Sequence, residues 1–593
     1  MLSLNPYPML FKLLAAKRRA NPALRRALAL LLPLALIACA TASAPLRRAG
    51  IVTAANPHAV AAGVEMLNRG GTATDAAIAA MAVLGLVEPQ SAGLGGGGFL
   101  MHFDASNGAI DAFDGRETAP MGATPDMFLD AEGRPLPFLA AKTSGRAIGA
   151  PSLIAMLHMA HEAHGRLPWA RLFEPAIRLA DEGFAVSPRL HNIIAAYGAR
   201  ARLAESPDAR AYLYTPDGAP LPVGHILRNP AYAESLRAIA ARGPDALRDG
   251  PLAEAIVAAA RREPLAGALS LSDLQSYRAR RLDPVCGAFR VYRVCSMPPP
   301  SSGGVAVIET LGLFERARPN AEGVQSPEDW AAYLWAARLA YVDRDYYVGD
   351  DAFVPVPTEG LIDARYLDDR ARQIDLSHAP RNLAPGDPSR FVGGASLLER
   401  WGRETAIEAP GTTHLSIMDG HGNVVAMTAT IEGAFGAHRM AGGFFLNNQM
   451  TDFSFRPALN GRPVANAVAP GKRPRSSMAP VLMFEADGDF YAAIGSPGGG
   501  AIISYVARTI IGFTDWGLTM QEAIDLPHLV ASAPIIRAEQ GVNDELTGAL
   551  TARGWRFESG ASEESGLHGF RMTTDDLDAG ADRRREGSVR RAN

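Results

Sequence analysis

Apolar and small residues recur at helical spacing over two Ala-rich stretches near the start of the body of the chain. Asn56-Pro57 supplies a cap and a first-turn proline, and the pattern runs through Glu65-Met66-Leu67 to Gly70-Gly71, which predicts one helix. A second is predicted from Asp75 to about Leu86. Phe99–Phe103 alternates as a strand does, with Asn107-Gly108 as a turn. Helical patterns dominate 145–285, notably Ser152–His164, Trp169–Glu182 and Asn229–Arg242, with turn signals at Pro207-Asp208, Pro216-Asp217-Gly218 and Gly243-Pro244. Pro298–Gly304 breaks the chain before further helical patterns at Val305–Phe314, 327–349 and 359–375. The polar, Pro/Gly-containing stretch 376–411 is expected to be exposed. Strands then take over at Thr413–Met418, Val424–Thr430 across Asp419-Gly420-His421-Gly422-Asn423, Phe444–Leu446, Val481–Phe484 and Phe490–Ile494, with helices at Ala501–Thr514 and Met520–Asp525. This is an α+β pattern of helices layered on sheets, without an internal repeat. The arginines from Arg583-Arg584-Arg585 to Arg590-Arg591 read as a solvated end.

Composition narrows the class. With 593 residues, 48% hydrophobic, 20% charged and net charge −4, the chain is neither disordered, collagen-like nor disulfide-dense. No basic stripe marks a nucleic-acid partner. Residues 1–49 read as an address: Lys12, Lys17, Arg18, Arg19, Arg25 and Arg26 precede the apolar Ala27–Ala38, interrupted by Pro33. That stretch is short for ~30 Å of hydrocarbon, so a signal segment over residues 1–38 fits better than a membrane span. Leu36-Ile37-Ala38-Cys39 resembles a bacterial lipobox, with ordinary cleavage near Ala40, Ala42 and Ala44 as the alternative. The expectation is a periplasmic or cell-envelope protein anchored through a lipidated Cys39. Cys286 and Cys295 flank a stretch able to turn back as a hairpin, so a disulfide and two buried thiols are both open.

The candidate chemistry begins at Gly411-Thr412-Thr413-His414, where a threonine opens a strand after an exposed linker. A threonine hydroxyl needs a base to take its proton, and a threonine made N-terminal carries one. Its α-amino group, with an ordinary pKa of about 7.7–8.0, is partly neutral near pH 7. That requires scission between Gly411 and Thr412. A Thr-Thr pair at a strand start is by itself ordinary β-propensity.

The surroundings give the pair its meaning. Thr430-Ile431-Glu432, Phe445-Leu446-Asn447-Asn448-Gln449-Met450-Thr451-Asp452-Phe453, Lys472-Arg473-Pro474-Arg475-Ser476-Ser477-Met478 and Gly495-Ser496-Pro497-Gly498-Gly499 follow it in order. Gly93–Gly98, Asp114-Gly115-Arg116-Glu117-Thr118-Ala119-Pro120 and Pro298–Gly304 precede it. Together, over about residues 50 to 585, they resemble the γ-glutamyltransferase (γ-glutamyltranspeptidase) family.

The resemblance implies an N-terminal-nucleophile hydrolase with a four-layer αββα sandwich, made as a precursor that cuts itself into a large subunit (39–411) and a small catalytic one (412–593). It implies that Thr412 attacks a γ-glutamyl amide such as that of glutathione and passes the acyl group to water, an amino acid or a peptide. Thr430 would tune the nucleophile, and the N–H groups of Gly498 and Gly499 would form an oxyanion hole. Arg116 would hold the substrate carboxylate with Ser476 and Ser477 assisting, and Glu432, Gln449 and Asp452 would receive its ammonium group. Two departures stand out: Glu432 replaces an Asn common among relatives, and the segment between Asp452 and Ser476 is short and lacks tyrosine, which predicts a more open pocket.

Other signals are weaker. His158, His161 and His164 share helical spacing, but no His-Glu-x-x-His motif or separate third-ligand segment accompanies them, so a packed or solvated helix face is expected rather than a metal site. Gly93–Gly98 lacks the residues of a nucleotide cradle, and no cofactor signature is present. The competing readings are a glutaryl-type (cephalosporin) acylase of the same fold, which does not need the ammonium-binding set, and an inactive lipoprotein that uses the fold to bind.

Overall fold

Asn56 accepts a hydrogen bond from the His58 backbone at 2.9 Å with Pro57 in the first turn, so the first helix begins where its capping pattern lies. Thr72 and Asp75 close a reciprocal capping box on the second. The structure is a computed structural model that describes residues 50–403, 411–561, 565–574 and 576–593. The leader, Cys39 and the last residues before Gly411 lie outside the described residues. No helix among the described residues is long and apolar enough to cross a membrane.

The described chain begins with β1 (Ile51–Ala54), α1 (Pro57–Asn68) and α2 (Ala73–Val87), then the hairpin β2 (Gly97–Asp104) and β3 (Ala109–Gly115). A helical region leads to β4 (Arg280–Leu282), the hairpin β5 (Val285–Phe289) and β6 (Tyr292–Ser296), and the helices α3 (Gly303–Ala317) and α4 (Pro327–Tyr347). After Gly411 come β7 (Gly411–Met418), β8 (Val424–Glu432), β9 (Val481–Phe484) and β10 (Phe490–Gly495). Then follow α5 (Ile502–Thr514), α6 (Met520–Asp525), β11 (His568–Met572), β12 (Leu577–Ala581) and β13 (Ser588–Arg591).

The strands form a seven-stranded sheet, β13-β1-β7-β8-β2-β3-β4, and a six-stranded sheet, β12-β11-β10-β9-β6-β5. The sheets meet where β7 and β8 lie against β10 and β7 against β11. Helices α1 and α2 cover the first sheet, and α3, α5 and α6 the second, which makes the four-layer αββα sandwich. Period-two alternation sorts the core: Leu100, Leu415, Ile417, Val425 and Met427 pack with α1 and α2. Phe99, Met101, Phe103, Val424 and Ala426 pack with Leu482 and Ile494 of the other sheet. Both faces of the central strands are buried, so they read as nearly continuous apolar runs.

Several expectations change. The arginine tail is a solvated end only in part: Arg583, Arg590 and Arg591 are exposed, but β13 pairs antiparallel with β1, Ser588 opposite Ala54, completing the sheet edge. Arg585 is buried, and Arg584 pairs with Glu539 and Asp582, so charges that look solvated in sequence have carboxylate or carbonyl partners inside the fold. Nor is 376–403 simply exposed, since Trp401 is buried and Leu383, Phe391 and Leu397 pack on the core. Trp169–Glu182 divides into a 3-10 turn (Trp169–Phe173) and an α-helix (Glu174–Glu182) at Pro175, and 359–375 divides where Asp363 caps Ala364–Ala371.

Cys286 and Cys295 face each other in the β5–β6 hairpin, Cα atoms 4.1 Å apart, and are joined as a disulfide. In denaturant without reductant, both thiols are therefore expected to resist alkylation, and a non-reducing digest should yield their linked peptides. Full labelling of both would overturn the bond.

Candidate active site

Antiparallel pairing puts Thr412 of β7 opposite Thr430 of β8, with a bulge between Thr430 and Glu432 that sets Glu432 against Gly411. The bulge holds Glu432 at φ +77°, an uncommon state for a residue with a side chain. Close backbone packing explains the glycines. A Cβ on Gly411 would lie 2.3 Å from the Glu432 carbonyl oxygen, and one on Gly96 would lie 2.1 Å from that of Thr430. The run Gly93–Gly98 thus lets β2 lie against β8 beside the threonines, and Asn447 ties it down through Gly95 O at 2.7 Å.

Chain continuity through Gly411-Thr412 shows the bonds around the uncut peptide. The Thr412 hydroxyl donates to Thr430 Oγ1 at 3.1 Å, and Thr430 donates onward to the Gly411 carbonyl oxygen at 2.7 Å. The Glu432 N–H donates to Thr430 Oγ1 at 2.8 Å, so the Thr430 hydroxyl spends one proton and accepts two. One side chain therefore touches both the Thr412 hydroxyl and the Gly411 carbonyl.

His414 is two residues along β7 and suggests itself as a base. Its ring nitrogens meet Thr428 Oγ1 at 2.8 Å and Ser416 Oγ at 3.0 Å, and burial pushes its pKa well below the ordinary value. It packs so tightly on Gly495 that a Cβ there would lie 2.3 Å from its ring. Its role is to join the sheets.

Gly498 and Gly499 lie in the turn between β10 and α5, at φ +135° and +56°. The turn leads into the N-terminal end of α5, where unpaired backbone N–H groups favour an anion. The neighbouring Pro497 packs against Gly566, where a Cβ would meet both Pro497 and Arg585. Arg585 Nη1 donates to the Thr412 carbonyl at 2.7 Å, so this loop and Thr412 share a neighbour. Behind them, Thr413 Oγ1 donates to Glu88 at 3.1 Å, and Glu88 pairs with Arg189 at 3.0 Å.

The expected glutamyl-recognition residues converge, with a difference. Arg116 and Asp452 form a buried ion pair with each other, and Arg116 also donates to the carbonyls of Pro474 and Arg475. The fixed cation and anion that would receive a zwitterion thus neutralise one another, as desolvated charges must. Removing either partner costs about 3–5 kcal/mol by leaving a buried charge unpaired. Gln449 Nε2 donates to Asp452 at 2.6 Å, while Gln449 Oε1 has no partner among the described residues. Ser477 Oγ accepts from Arg344 at 2.6 Å, and the Ser476 carbonyl accepts from Ser302 Oγ at 2.6 Å.

The Glu432 carboxylate accepts from Asn448 and has a cation nearby. Burial pushes the Lys142 ammonium down to about 7, and the charge on Glu432 opposes that fall. Lys142 donates to Tyr197 and to the Ala434 carbonyl at 2.7 Å. Sequence reading missed Lys142, Arg344 and Arg585. The Ser301-Ser302 step within Pro298–Gly304 was a signal for Arg344's surroundings; Lys142 and Arg585 sit in segments with no motif.

Gly149, where a Cβ would meet Glu117 at 3.0 Å, shows how closely that side chain is enclosed. Both Glu117 carboxyl oxygens lack hydrogen-bond partners among the described residues. Burial pushes its pKa from 4.5 to about 8, with Arg116 opposing. Away from this site, His164 meets Asp111 at 2.7 Å and stacks on His102, giving three side chains that could hold a metal ion. Arg281 already forks onto Asp111 through two 2.8 Å bonds, which places a cation where the ion's charge would be.

With this geometry in view, the gamma-glutamyltranspeptidase family model matches residues 59–592. The chain belongs to that family. Among gamma-glutamyltranspeptidase relatives, the glutathione hydrolase proenzyme of Bacillus subtilis (strain 168) is 34% identical over 511 residues, covering 86% of this chain and 85% of its own. The Acylase ACY 1 proenzyme of Pseudomonas sp. (strain V22) is 33% identical over 539 residues, covering 90% and 91%. The crystal structure of a cephalosporin acylase from Bacillus halodurans aligns with a TM-score of 0.79 at 25% identity, covering 93% and 98%.

Two outcomes follow. The folded Glu117 keeps its proton up to about pH 8, whereas the unfolded one releases it near 4.5, so stability falls as pH rises through that window. Glu117→Gln removes this dependence, and its thermal midpoint at pH 8 is expected to exceed wild type by about 2 °C or more while the two nearly coincide at pH 5. Equal differences at both pH values would mean that Glu117 ionises normally in the fold. The Arg585 cation beside the Thr412 carbonyl should lower the pKa of a Thr412 α-ammonium group after scission. Arg585→Met is then expected to move the acid limb of kcat/KM upward by about one unit, and Arg585→Lys to restore it in part. An unmoved limb with reduced kcat would assign Arg585 to packing alone.

Proposed function

We propose that this family member is a γ-glutamyl hydrolase and transferase that acts on glutathione and related γ-glutamyl compounds after cutting itself between Gly411 and Thr412. The observation that carries this reading is the Thr430 hydroxyl hydrogen-bonded to both Thr412 Oγ1 and the Gly411 carbonyl. As Thr412 Oγ1 adds to the carbonyl carbon, its proton is accepted along this line, and Thr430 stabilises the oxygen that gains charge. The carbon–nitrogen bond breaks, the Thr412 nitrogen leaves as an amine, and an ester links Gly411 to the threonine. Water hydrolyses the ester, releasing the Gly411 carboxylate and a free Thr412 N-terminus.

That amine then serves as the base. It takes the Thr412 hydroxyl proton as Oγ1 attacks the γ-glutamyl carbonyl and returns it to the departing amine, leaving a γ-glutamyl ester on the enzyme. Water, or an amino-acid or peptide amine, resolves the ester. Gly498 and Gly499 contribute N–H groups to the oxyanion. The substrate enters as a zwitterion that divides the Arg116–Asp452 pair, carboxylate to Arg116 with Ser476 and Ser477 beside it, ammonium to Asp452, Gln449 Oε1 and Glu432. Each buried charge keeps a partner throughout. The short segment after Asp452 folds into a small hairpin, Ala458–Leu459 with Arg462–Pro463, which suits an open pocket able to admit larger acceptors. Residues 1–38 act as an export signal, and a lipidated Cys39 holds the enzyme in the cell envelope.

The likeness to acylases supports a second reading, hydrolysis of a glutaryl-type amide. A glutaryl group lacks the ammonium, and Arg116, Gln449 and Asp452 together favour the amino acid. The purified protein is expected to run as two bands on a denaturing gel, the smaller starting at Thr412, with Thr412→Ala remaining as one. Release from a γ-glutamyl anilide should exceed release from a glutaryl anilide by about tenfold or more, since the missing ammonium forfeits charge-assisted hydrogen bonds. The reverse ranking would support the acylase, and an uncut, inactive wild type would favour a binding protein.

A further inference from the structure

Helix α4 carries Arg344 to the Ser477 side of the active site, and an earlier turn of it carries Arg338 into a different place. Arg338 lines a cavity of about 600 Å³ whose walls also come from residues 378–383, Arg403 and residues 552–556. None of the residues placed around Thr412 lines it.

The walls are unusual in charge. Five arginines, His378 and Asn382 line the cavity, and among the described residues that line it none is Asp or Glu. Arg338 is only 4% exposed, yet its hydrogen bond is to a neutral acceptor, the Ala531 carbonyl at 3.1 Å, and among the described residues no carboxylate pairs with it. Asp345, on the same helix, is engaged by Arg344 at 2.8 Å. Burial, reinforced by the like charge of Arg403, pulls Arg338 down to about 10, a fall that Asp345 and Tyr341 oppose only in part. A buried guanidinium facing others without a counter-charge is costly unless an anion is supplied.

Two further donors point to what supplies it. Trp555 is 3% exposed and its indole Nε1 has no partner among the described residues, and Arg553 Nη1 likewise has none among them although Nη2 pairs with Glu328. Buried N–H groups left open beside a guanidinium whose hydrogen bond goes to a neutral carbonyl match an oxyanion, which is acceptor-only and accepts several donors at once. Leu383, Pro380 and Pro534 give the cavity apolar wall as well, enough to flank a small carbon skeleton.

We propose that this cavity is a binding site for a small multivalent oxyanion, held by Arg338, Arg403, Arg553 and the Trp555 N–H. The shared chemistry is two or more anionic oxygens, on carboxylates or on phosphoryl groups. The full processed protein, in a low-salt buffer free of phosphate and carboxylate, is to be titrated calorimetrically with citrate and, separately, with pyrophosphate. One saturable site with Kd below about 1 mM is expected for at least one of them. Citrate alone would identify a polycarboxylate, pyrophosphate alone a phosphoryl compound, and both the general class.

Arg403→Gln lies on the exposed side of the cavity, so it should fold, keep wild-type anilide turnover and bind at least about tenfold more weakly. Arg338→Met should weaken binding similarly, lose the rise in thermal midpoint that the anion gives wild type, and without anion be no less stable than wild type. Absence of saturation with both anions, or binding by Arg403→Gln equal to wild type, would overturn the proposal.

Discussion

One hydroxyl group governs the architecture. Thr430 has a single proton to give, and gives it to the Gly411 carbonyl while accepting from Thr412 and from the Glu432 backbone. Holding three partners on one oxygen demands that two strands be fixed to within a few tenths of an ångström. A bulge, a left-handed residue at Glu432 and glycines at 96 and 411 make that approach possible. The two sheets and their covering helices supply the rigidity, because strands buried on both faces have little freedom to slip.

Charge follows a similar logic at larger scale. Arg116 with Asp452, Arg370 with Asp343, and Arg344 with Asp345 are buried ion pairs whose members satisfy each other and nearby carbonyls. Such pairs add little net stability over apolar packing, but they punish any rearrangement that parts them. In the proposed recognition site that property would act as a filter: an incoming molecule would be accommodated when it carries both signs at the right separation. Glu432 adds a further negative charge, and Lys142, buried beside Tyr197, interacts with it as the nearby cation.

Much of this was legible in the chain. The capped helices at Pro57 and Ala73, the hairpin at Asn107-Gly108 and the pairing of Thr413–Met418 with Val424–Thr430 follow from periodicity and turn chemistry, which act within a few residues. The convergence of Arg116, Gln449 and Asp452 was legible only through motif resemblance, since nothing local brings residue 116 to residue 452. The mutual pairing of Arg116 and Asp452 was not legible, because it depends on desolvation. The C-terminal arginines mislead for the same reason: Arg585 looks like a solvated charge until Gly566 and Pro497 close over it. Lys142 and Arg338 carry no local signal, because Lys142 meets Glu432 only in the fold and the surroundings of Arg338 are set by distant segments.

The strand order of the larger sheet has a consequence for the two polypeptides that scission would create. β1 precedes the cut, yet it is wedged between β13 and β7, both of which follow it, and β8 borders β2 across the same divide. The products are interleaved rather than docked, like fingers of clasped hands. Parting them would mean tearing main-chain ladders in the middle of a sheet, so dissociation and denaturation become the same event, and halves synthesised apart could not assemble as finished bodies but only by folding together.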